Sequence, residues 1–390
     1  MRNISLLLVL SFFKISAVLG IEESFLVNEH NELIKSSFSG VVFIAKSEQV
    51  LYSKAFGFSD RDNETKFSDN TVFDIGSITK QFLATSVMKL SEQGLLSVED
   101  ELSMYFKDVP EDKKKIKLHH LLTHTAGLPT NLSKYRLYDI VSYKKLPSLA
   151  FNEKLLSKPG EKYHYSNIGY SLLARIVESV TQENWEQFIR KSLLLPSGLN
   201  DTGYRIPMYK SDRLAVNYGA DQNAFQRFFS IEADSRSVGH SLQHLYNDPG
   251  ERWMEGAGGF MSTISDMHRW YLTIRSGNIL SIRSWEKLFT PYVEEGNASH
   301  YGYGWSITTN EDGNKLITHN GSNGYSFAEF KYYPIEDLFV FIVTNDIDNY
   351  PEELMNKLSN KAVRTVTDKS IQPTIESPAD GSTQRKVNRK

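Results

Sequence analysis

The segment 74–82, "DIGSITKQF", places a serine three residues before a lysine at the start of an apolar run. Residues three apart lie on the same face of a helix, so Ser77 and Lys80 are expected to be neighbours. A serine at a helix N-terminus also lies at the positive end of the helix dipole. If burial lowers the pKa of Lys80, its neutral amine can take the proton of the Ser77 hydroxyl. A helix N-cap beside a solvated lysine would give the same letters, and this motif alone leaves both interpretations open.

A second segment, "YHYSNIGYSL" at 163–172, brings Tyr165 and Asn167 together just before a helical pattern. A phenol can donate or accept a hydrogen bond, and an asparagine amide can do both. Tyr165 is therefore a candidate for relaying a proton to a leaving group, and Asn167 for holding a substrate carbonyl. The alternative interpretation is an aromatic packing residue beside an N-cap asparagine.

The third segment, "ITHNGSNGYSF" at 317–327, contains His319 and Gly321 at the end of a predicted strand. Glycine at such a position lets a substrate approach the backbone closely. The backbone amide that follows, on Ser322, is a candidate for half of an oxyanion hole. An ordinary Asn-Gly hairpin turn is the alternative.

The overall composition excludes several other chemistries and partners. The chain has 390 residues and a net charge of −3, with 40% hydrophobic and 23% charged residues, which is typical of a soluble globular protein. It has no cysteine, which excludes thiolate nucleophiles, disulfides and cysteine-based zinc sites. The ten histidines show no H-E-x-x-H spacing, so a zincin-type metal site has no support. The small net charge indicates no nucleic-acid partner.

Both ends of the chain differ from the rest. Residues 1–20 carry Arg2, an apolar run and then small residues up to Gly20, which resembles a secretory signal peptide. An uncleaved N-terminal anchor is the alternative. Residues 367–390 are polar and rich in Pro, Ser and Thr, which predicts a disordered tail. We therefore expect an exported protein with no stable membrane insertion after signal removal, and the sequence does not indicate its oligomeric state.

The elements between these ends predict a sheet that uses both halves of the chain. Residues 39–60 have the pattern of a hairpin, and the apolar spacing over 78–90 predicts a helix. Four strand patterns follow residue 300, and a closing helix is predicted over 351–366. The strand patterns are "YGYGWSITT", "KLITH", "SFAEFKYYP" and "LFVFIVTN". Their short connections favour antiparallel pairing.

The middle of the chain is predicted to be mostly helical. Two amphipathic runs divide near Thr181, and a long irregular stretch over 204–258 is expected to line or cover a site. The predicted fold is α/β (α+β), an antiparallel sheet flanked by helices with an inserted, mostly helical domain. The predicted catalytic domain covers residues 21–366, with sheet portions near 25–82 and 285–366 and the helical portion near 83–284.

The three segments together resemble the signature of one enzyme superfamily. S-x-x-K, then Y-x-N about 85 residues later, then H-x-G in a C-terminal strand is similar to the pattern of serine β-lactamases and penicillin-binding proteins. The Y-x-N form resembles the branch of class C β-lactamases, DD-peptidases and family VIII esterases. The resemblance covers roughly residues 25–365. It extends to "LHHLLTHTAGLP", "PGEKYHYSNIGYSLLARIVE", "LLLPSGLNDTGY", "GAGGFMSTISDMHRW" and "YGYGW".

This resemblance implies a role for each residue of the first two segments. Ser77 would be acylated, Lys80 would accept its proton, and Tyr165 would handle the leaving group. Asn167 would orient the substrate, and no metal or cofactor would be needed. The expected enzyme is an exported serine hydrolase that cleaves an ester or amide bond in a small molecule or a peptide.

The third segment departs from the family pattern in two ways. His319 stands where antibiotic-degrading members usually carry lysine, and "HNGSNGY" is one residue shorter than the H-x-G-x-x-x-G-[FY] of many members. The resemblance implies that His319 adds a donor, and that the amides of Ser77 and Ser322, beside Gly321, form the oxyanion hole. Because histidine is only partly charged near neutral pH, we expect esters or peptides to be preferred over β-lactams, which carry a carboxylate.

Other interpretations stay open at this point. A true β-lactamase or a D-Ala-D-Ala carboxypeptidase is an alternative, and so is a catalytically silent binding or sensor domain of the same fold. The segment "GHSLQ" at 239–243 is similar to a lipase elbow, but Gln243 replaces its last glycine, which argues against Ser241 as nucleophile. The aromatic loop 218–230 is expected either to line the pocket or to pack on itself. A structural role is expected for three clustered histidines, His119, His120 and His124.

Overall fold

The structure, a computed structural model, describes residues 26–219 and 235–368 of the 390-residue chain. The predicted signal peptide, nearly all of the predicted tail and most of the loop at 218–230 lie outside the described residues. Within the described ranges, no helix is both long and apolar enough to cross a membrane.

An eight-stranded antiparallel sheet forms the centre of the fold. Its strands are β1 Gly40–Lys46, β2 Gln49–Phe56, β7 Val293–Gly296, β8 Ser299–Tyr301, β9 Ser306–Thr309, β10 Lys315–Ser322, β11 Phe327–Tyr333 and β12 Leu338–Thr344. Their order in the sheet is β2-β1-β12-β11-β10-β9-β8-β7, so the N-terminal hairpin pairs with the last strand of the chain. Val42 pairs with Ile342 at that junction. The prediction of one sheet built from both chain ends is therefore confirmed.

Two short strand pairs and several helices lie outside this sheet. The pairs are β3 Phe73–Asp74 with β6 Met261–Ser262, and β4 Val216–Gly219 with β5 Arg236–His240. The α-helices are α1 Val27–Lys35, α2 Thr79–Glu92, α3 Leu118–Leu122, α4 Leu146–Asn152, α5 Asn167–Thr181, α6 Trp185–Ile189, α7 Gln243–Asn247, α8 Ile264–Ser276, α9 Ile282–Leu288 and α10 Glu352–Thr367. A π-helical turn, Arg190–Leu194, continues α6.

Alternate side chains of the central strands enter two separate hydrophobic cores. Val42 and Ile342 lie in the core with α1 and α10, whereas Val41 and Phe341 lie in the larger core with α2 and α5. This alternation arises because successive side chains of a strand point to opposite faces of the sheet. Since both faces are covered, every residue of β12 is buried, which explains its unbroken apolar run "LFVFIVT".

The strand predicted over 301–309 is interrupted at residues 302–305. Tyr301 ends β8, and β9 begins only at Ser306. Between them Gly304 has a φ of +80°, and a methyl group there would lie 2.8 Å from the Lys80 carbonyl oxygen. The chain turns at this point because it passes directly against α2. Strand β7, at the edge of the sheet, was not predicted.

The other element predictions agree with the structure, with small shifts. The hairpin over 39–60 is β1 and β2, and the closing helix is α10. The predicted division near Thr181 is where α5 ends, and α2 begins at Thr79. The described part of 204–258 is more regular than expected, because β4, β5 and α7 lie within it.

Candidate active site

Ser77 lies in a one-turn 3-10 segment, Gly76–Ile78, that leads directly into α2. Gly76 has a φ of +49°, which residues with a side chain adopt rarely, so glycine permits the turn that presents Ser77. The Ser77 side chain is partly exposed, and the N-cap position of α2 is Ile78. The interpretation of Ser77 as the N-cap of this helix is therefore wrong.

Lys80 is fully buried in the first turn of α2, with its amine beside Ser77. The Nζ atom lies 3.0 Å from Ser77 Oγ, 2.8 Å from Asn167 Oδ1 and 2.5 Å from the Ala257 carbonyl oxygen. Burial lowers the pKa of Lys80 well below its usual range. A neutral amine has two N–H groups and one lone pair. Because the Asn167 and Ala257 oxygens can only accept, they take both N–H groups and leave the lone pair facing the Ser77 hydroxyl.

The Tyr165 side chain is the other partner of the serine. It shares a hydrogen bond with Ser77, and Lys80 Nζ lies 4.8 Å from the centroid of its ring. Burial raises the pKa of Tyr165, and the negative charge of Glu295 adds to this, while the bond with Ser77 opposes it. The phenol therefore keeps its proton at neutral pH and is able to donate it.

His124 holds the backbone of the segment that follows Tyr165. Its ring packs on Tyr165 with the centroids 4.3 Å apart, and its Nδ1 accepts the Ser166 backbone N–H at 3.0 Å. Burial lowers the pKa of His124 well below its usual range. His124 thus has the structural role that was expected, and it has this role within the candidate active site.

Asn167 is the first residue of α5, but it does not cap the helix. Ser166 does so, by accepting the Gly169 N–H on its Oγ at 3.2 Å. Asn167 instead faces Lys80 with its Oδ1 and donates from Nδ2 to Asn131 Oδ1 at 2.9 Å. The N-cap alternative for Asn167 is therefore wrong, and Asn131, which sequence reasoning missed, fixes the orientation of its amide.

The end of β10 runs in direct contact with the turn that carries Ser77. A methyl group at Gly321 would lie 2.1 Å from the Ile75 carbonyl oxygen and 2.5 Å from the Ser77 nitrogen. A methyl group at Gly76 would lie 2.5 Å from the Ser322 nitrogen. Both positions need glycine because the two backbones are in contact there, whether or not a substrate also approaches. The Ser77 and Ser322 amides are thus held on adjoining segments, as an oxyanion hole requires.

The hairpin between β10 and β11 turns later in the sequence than it would if Asn320 and Gly321 formed the turn. Asn320 and Gly321 lie within β10, where Gly321 pairs with Ala328. The turn is made at Asn323 and Gly324, and Gly324 has a φ of +96°. The interpretation of Asn320 and Gly321 as a simple hairpin turn is therefore wrong.

His319 is buried in β10 with both ring nitrogens bonded to protein groups. Nδ1 lies 2.5 Å from the Asn320 carbonyl oxygen, and Nε2 lies 2.9 Å from Tyr301 Oη. Since the carbonyl only accepts, Nδ1 carries the proton and Nε2 accepts from the Tyr301 hydroxyl. Burial lowers the pKa of His319 to about 3. The partial charge expected at neutral pH is therefore absent, and in this conformation neither nitrogen is free to donate to a substrate.

The remaining sequence candidates have structural partners. Ser241 Oγ accepts from Asn217 Nδ2 and Asn323 Nδ2, each at 2.8 Å, and donates to Asp74, so its hydroxyl is fully used in hydrogen bonds to neighbouring side chains. His119 Nδ1 lies 2.7 Å from Tyr303 Oη. His120 accepts the Lys117 backbone N–H at 3.1 Å. Among the described residues, no group of His, Asp and Glu is arranged to hold a metal ion.

Sequence reasoning also missed two groups around the candidate catalytic side chains. Ala257 contributes a backbone carbonyl, which its residue type cannot signal, although the glycine run "GAGG" indicates close packing. A methyl group at Gly256 would lie 2.6 Å from Ala174 Cβ. Glu295 on β7 accepts from Tyr163 Oη at 3.2 Å, and its charge acts on Tyr165.

A buried lysine amine 3.0 Å from a serine hydroxyl, set between a helix start and the end of an inner strand of an antiparallel sheet, defines a class. That class is the serine hydrolases with the fold of β-lactamases and penicillin-binding proteins. A family model described as Beta-lactamase matches residues 30–363, and the chain belongs to that family.

Individual relatives agree with this assignment. Penicillin-binding protein 4* of Bacillus subtilis (strain 168) is 25% identical over 335 residues, which cover 83% of this chain and 72% of that protein. An octameric penicillin-binding protein homologue from Pyrococcus abyssi has a TM-score of 0.72 and 26% identity, covering 87% of this chain and 76% of that chain. D-amino acid amidase from Ochrobactrum anthropi SV3 has the same fold, with a TM-score of 0.71 and 18% identity over 88% of this chain and 100% of that chain.

Proposed function

We propose that this protein is an exported serine hydrolase that cleaves an ester or amide bond of a small molecule or peptide through an acyl-enzyme on Ser77. One observation carries the proposal. The buried Lys80 amine lies 3.0 Å from Ser77 Oγ, with acceptor oxygens of Asn167 and Ala257 on its other sides. This arrangement supports Lys80 as the general base, because the lone pair of the neutral amine faces the hydroxyl proton.

The acylation half-reaction uses groups that surround Ser77. The Ser77 proton moves to Lys80 Nζ while Ser77 Oγ bonds to the substrate carbonyl carbon. The carbonyl oxygen becomes an oxyanion that the Ser77 and Ser322 amides stabilise. When the intermediate collapses, Tyr165 gives its proton to the leaving alcohol or amine, and the proton on Lys80 passes to Tyr165. The raised pKa of Tyr165 supports this role, because the phenol stays protonated until the leaving group departs.

In the deacylation half-reaction, water takes the place of the Ser77 hydroxyl as the nucleophile. Water attacks the acyl carbonyl and gives one proton to Lys80, and the same two amides again stabilise the oxyanion. The bond to Ser77 Oγ then breaks, the proton returns to that oxygen, and the acid product leaves. The side chains regain their starting protonation states, so the proposed cycle uses only groups of this chain and water.

The charges around the site support substrates that lack a carboxylate beside the scissile bond. Burial lowers the pKa of both Lys80 and His319, which disfavours a cation on either side chain. Glu295 instead contributes negative charge near Tyr165. A β-lactam or a C-terminal D-Ala carries a carboxylate that this environment disfavours. We therefore propose that uncharged or cationic esters and amides are preferred.

Export is proposed from the sequence of residues 1–20, which has the charge, apolar run and small residues of a signal peptide. We propose the substrate and water as the partners of this site. The net charge of −3 gives no support for binding of a nucleic acid. A D-amino acid amidase has the same fold, which is consistent with the proposal that this protein can act on amides.

A comparison of three substrates tests the proposed function. The protein is incubated with a neutral p-nitrophenyl ester, a D-Ala-D-Ala peptide and a cephalosporin, and kcat/KM is compared. We expect the ester to have the highest kcat/KM, and a fluorophosphonate to add to the peptide that contains Ser77. A cephalosporin kcat/KM far above that of the ester would replace the substrate proposal with a β-lactamase. Failure of all three substrates and of the fluorophosphonate would indicate a silent binding domain.

A further inference from the structure

Asp74 is buried three residues before Ser77, at the end of β3. One carboxylate oxygen accepts the Gly76 backbone N–H at 2.8 Å, and the other accepts Asn323 Nδ2 at 2.9 Å. The Ser241 hydroxyl is a third donor to this carboxylate. Within the described residues its partners are donors and no cation, so hydrogen bonds alone compensate the burial of Asp74.

Asn323 connects this carboxylate to the other side of the site. It directly follows Ser322, and its Oδ1 accepts the backbone N–H groups of Tyr325 at 2.9 Å and Ser326 at 2.8 Å. Its Nδ2 donates to both Asp74 and Ser241. The Asn323 side chain is therefore fixed in the hairpin turn at one end and bonded to the nucleophile segment at the other.

The two segments joined in this way are those that carry the amides of the proposed oxyanion hole. Asp74 bonds to the amide before that of Ser77, and Asn323 is the residue after Ser322. We propose that Asp74 and Asn323 form a clamp of two positioning residues, which holds the Ser77 and Ser322 amides at the separation that a substrate oxyanion requires. This inference rests on the proposed function, because the clamp acts only through those two amides.

The clamp has a consequence for rate rather than for substrate binding. An oxyanion hole works only if both donors point to the place where the charge develops. Loss of one donor costs about 100- to 1,000-fold in kcat, and a misplaced group costs somewhat less. Loosening the clamp should therefore lower kcat, while KM changes much less.

Exchange of the two side chains tests this clamp. Asp74→Asn alone sets one amide N–H group against another donor, and Asn323→Asp alone sets two carboxylates against each other. Each single variant should lower kcat for a p-nitrophenyl ester by roughly 10- to 100-fold. In the double variant the new amide at position 74 can donate to the new carboxylate at position 323, while its oxygen still accepts the Gly76 N–H. Most of the lost kcat should therefore return.

A second readout reports the oxyanion hole directly. A neutral trifluoromethyl ketone forms an adduct with the serine whose oxygen occupies the hole, so its affinity should fall with kcat/KM in the single variants and recover in the double variant. Asp266→Asn is the matched control. Asp266 is also buried and accepts a backbone amide, that of Asp201 at 2.7 Å, but no site residue is among its partners. This control should lower Tm without lowering kcat.

Two results would overturn the clamp while leaving the proposed function intact. One is a double variant in which the two single losses of kcat multiply. The other is a pair of single variants with the kcat and ketone affinity of the wild type. The proposed function is tested separately, by measurements on the wild type alone. If the wild type neither hydrolyses the ester nor forms an adduct on Ser77, the serine mechanism and the clamp both fail.

Discussion

Ser77 lies midway between two buried residues that ordinarily carry opposite charges, Asp74 three residues before it and Lys80 three residues after it. Lys80 faces two acceptor oxygens and the Ser77 hydroxyl. Asp74 faces only donors among the described residues. Burial lowers the pKa of Lys80, whereas it raises the pKa of Asp74 against the opposing effect of the donors.

Burial therefore has two different effects within one short segment. For Lys80, loss of water favours the neutral amine, which is the form that can accept a proton. For Asp74, both oxygens accept hydrogen bonds, which is the pattern of an ionised carboxylate that organises its donors. In the proposed mechanism the lysine side of Ser77 therefore serves proton transfer, and the aspartate side positions the backbone amides.

Substitution of Ser77, the residue between Asp74 and Lys80, should have the largest effect on kcat. Ser77→Ala should lower kcat by several orders of magnitude, about 10,000-fold or more, because no nucleophile remains. Ester hydrolysis under single-turnover conditions measures this loss. Ser241→Ala should still form the fluorophosphonate adduct on Ser77. An adduct found on Ser241, together with an active Ser77→Ala, would contradict the assignment of the nucleophile.

Substitution of Lys80 should separate its charge from its role as a base. Lys80→Met keeps the length of the side chain but has no base, and Lys80→Arg keeps a permanent charge. Both variants should lose activity by about 1,000-fold or more, if the lysine is the essential base. For the wild type, kcat/KM should rise with pH through an acidic limb whose pKa lies well below that of a free lysine. Full activity in either variant would refute this role.

Substitution of Lys80 should also change how the free energy of unfolding depends on pH. The sign of this effect follows from the lowered pKa of Lys80. Between its folded pKa and its unfolded pKa of about 10.4, the unfolded chain binds one more proton than the folded chain. In that window this lysine makes the free energy of unfolding rise with pH, by at most about 1.4 kcal/mol per pH unit. Lys80→Met should flatten the slope and gain the most stability at the lower pH. Urea unfolding at several pH values measures the slope, and an unchanged slope would contradict the neutral, buried amine.

The lysine side of the site was accessible to prediction because its spacing is local. Ser77 and Lys80 share one helix face, and the helical pattern after Ile78 was sufficient to expect their contact. Tyr165 and Asn167 precede the next clear amphipathic helix, which made their common segment recognisable. The sheet of both chain ends followed from apolar strand patterns at both ends of the chain.

The aspartate side was not accessible in the same way. Asp74 and Asn323 are 249 residues apart in sequence, and a single hydrogen bond joins them. No periodicity predicts such a pairing, because it depends on how β3 and the β10–β11 hairpin meet in the fold. The same reason applies to the Ala257 carbonyl, which is a backbone group, and to His319, whose neutral state follows from burial that its sequence neighbours do not reveal.

Tyr165→Phe should have a smaller effect, and one that depends on the leaving group. Burial raises the pKa of Tyr165, so its expected role is to donate a proton rather than to accept one. Loss of such an acid typically costs about 100- to 10,000-fold. A p-nitrophenyl ester should lose least, because its leaving group departs without a proton, and an alkyl ester or amide should lose most. Equal losses for all three substrates would argue against proton relay by Tyr165.

The smallest expected effect concerns the charge of the substrate, and it starts from Glu295. This residue lies on the edge strand β7, accepts from Ser299 Oγ at 2.6 Å and raises the pKa of Tyr165. Because it acts on that phenol over a distance, its charge should influence a leaving group in the same place by a few-fold at most. Its neighbour Glu294 is exposed and alters net charge equally when substituted, so it is a matched control.

Glu295→Gln should therefore improve kcat/KM for an ester with a carboxylate in the leaving group, relative to a neutral ester of similar size, by roughly 2- to 5-fold. Glu294→Gln should leave that ratio nearly unchanged, and added salt should shrink the difference. The ratio should also stay flat between about pH 5 and about pH 8, since the pKa of His319 is about 3 and its charge does not change over this range. A ratio that instead fell as the pH rose through about 6.5, the usual histidine pKa, would mean that His319 is solvated and titrates near the substrate. The buried, doubly bonded imidazole would then be the wrong description of this side of the site.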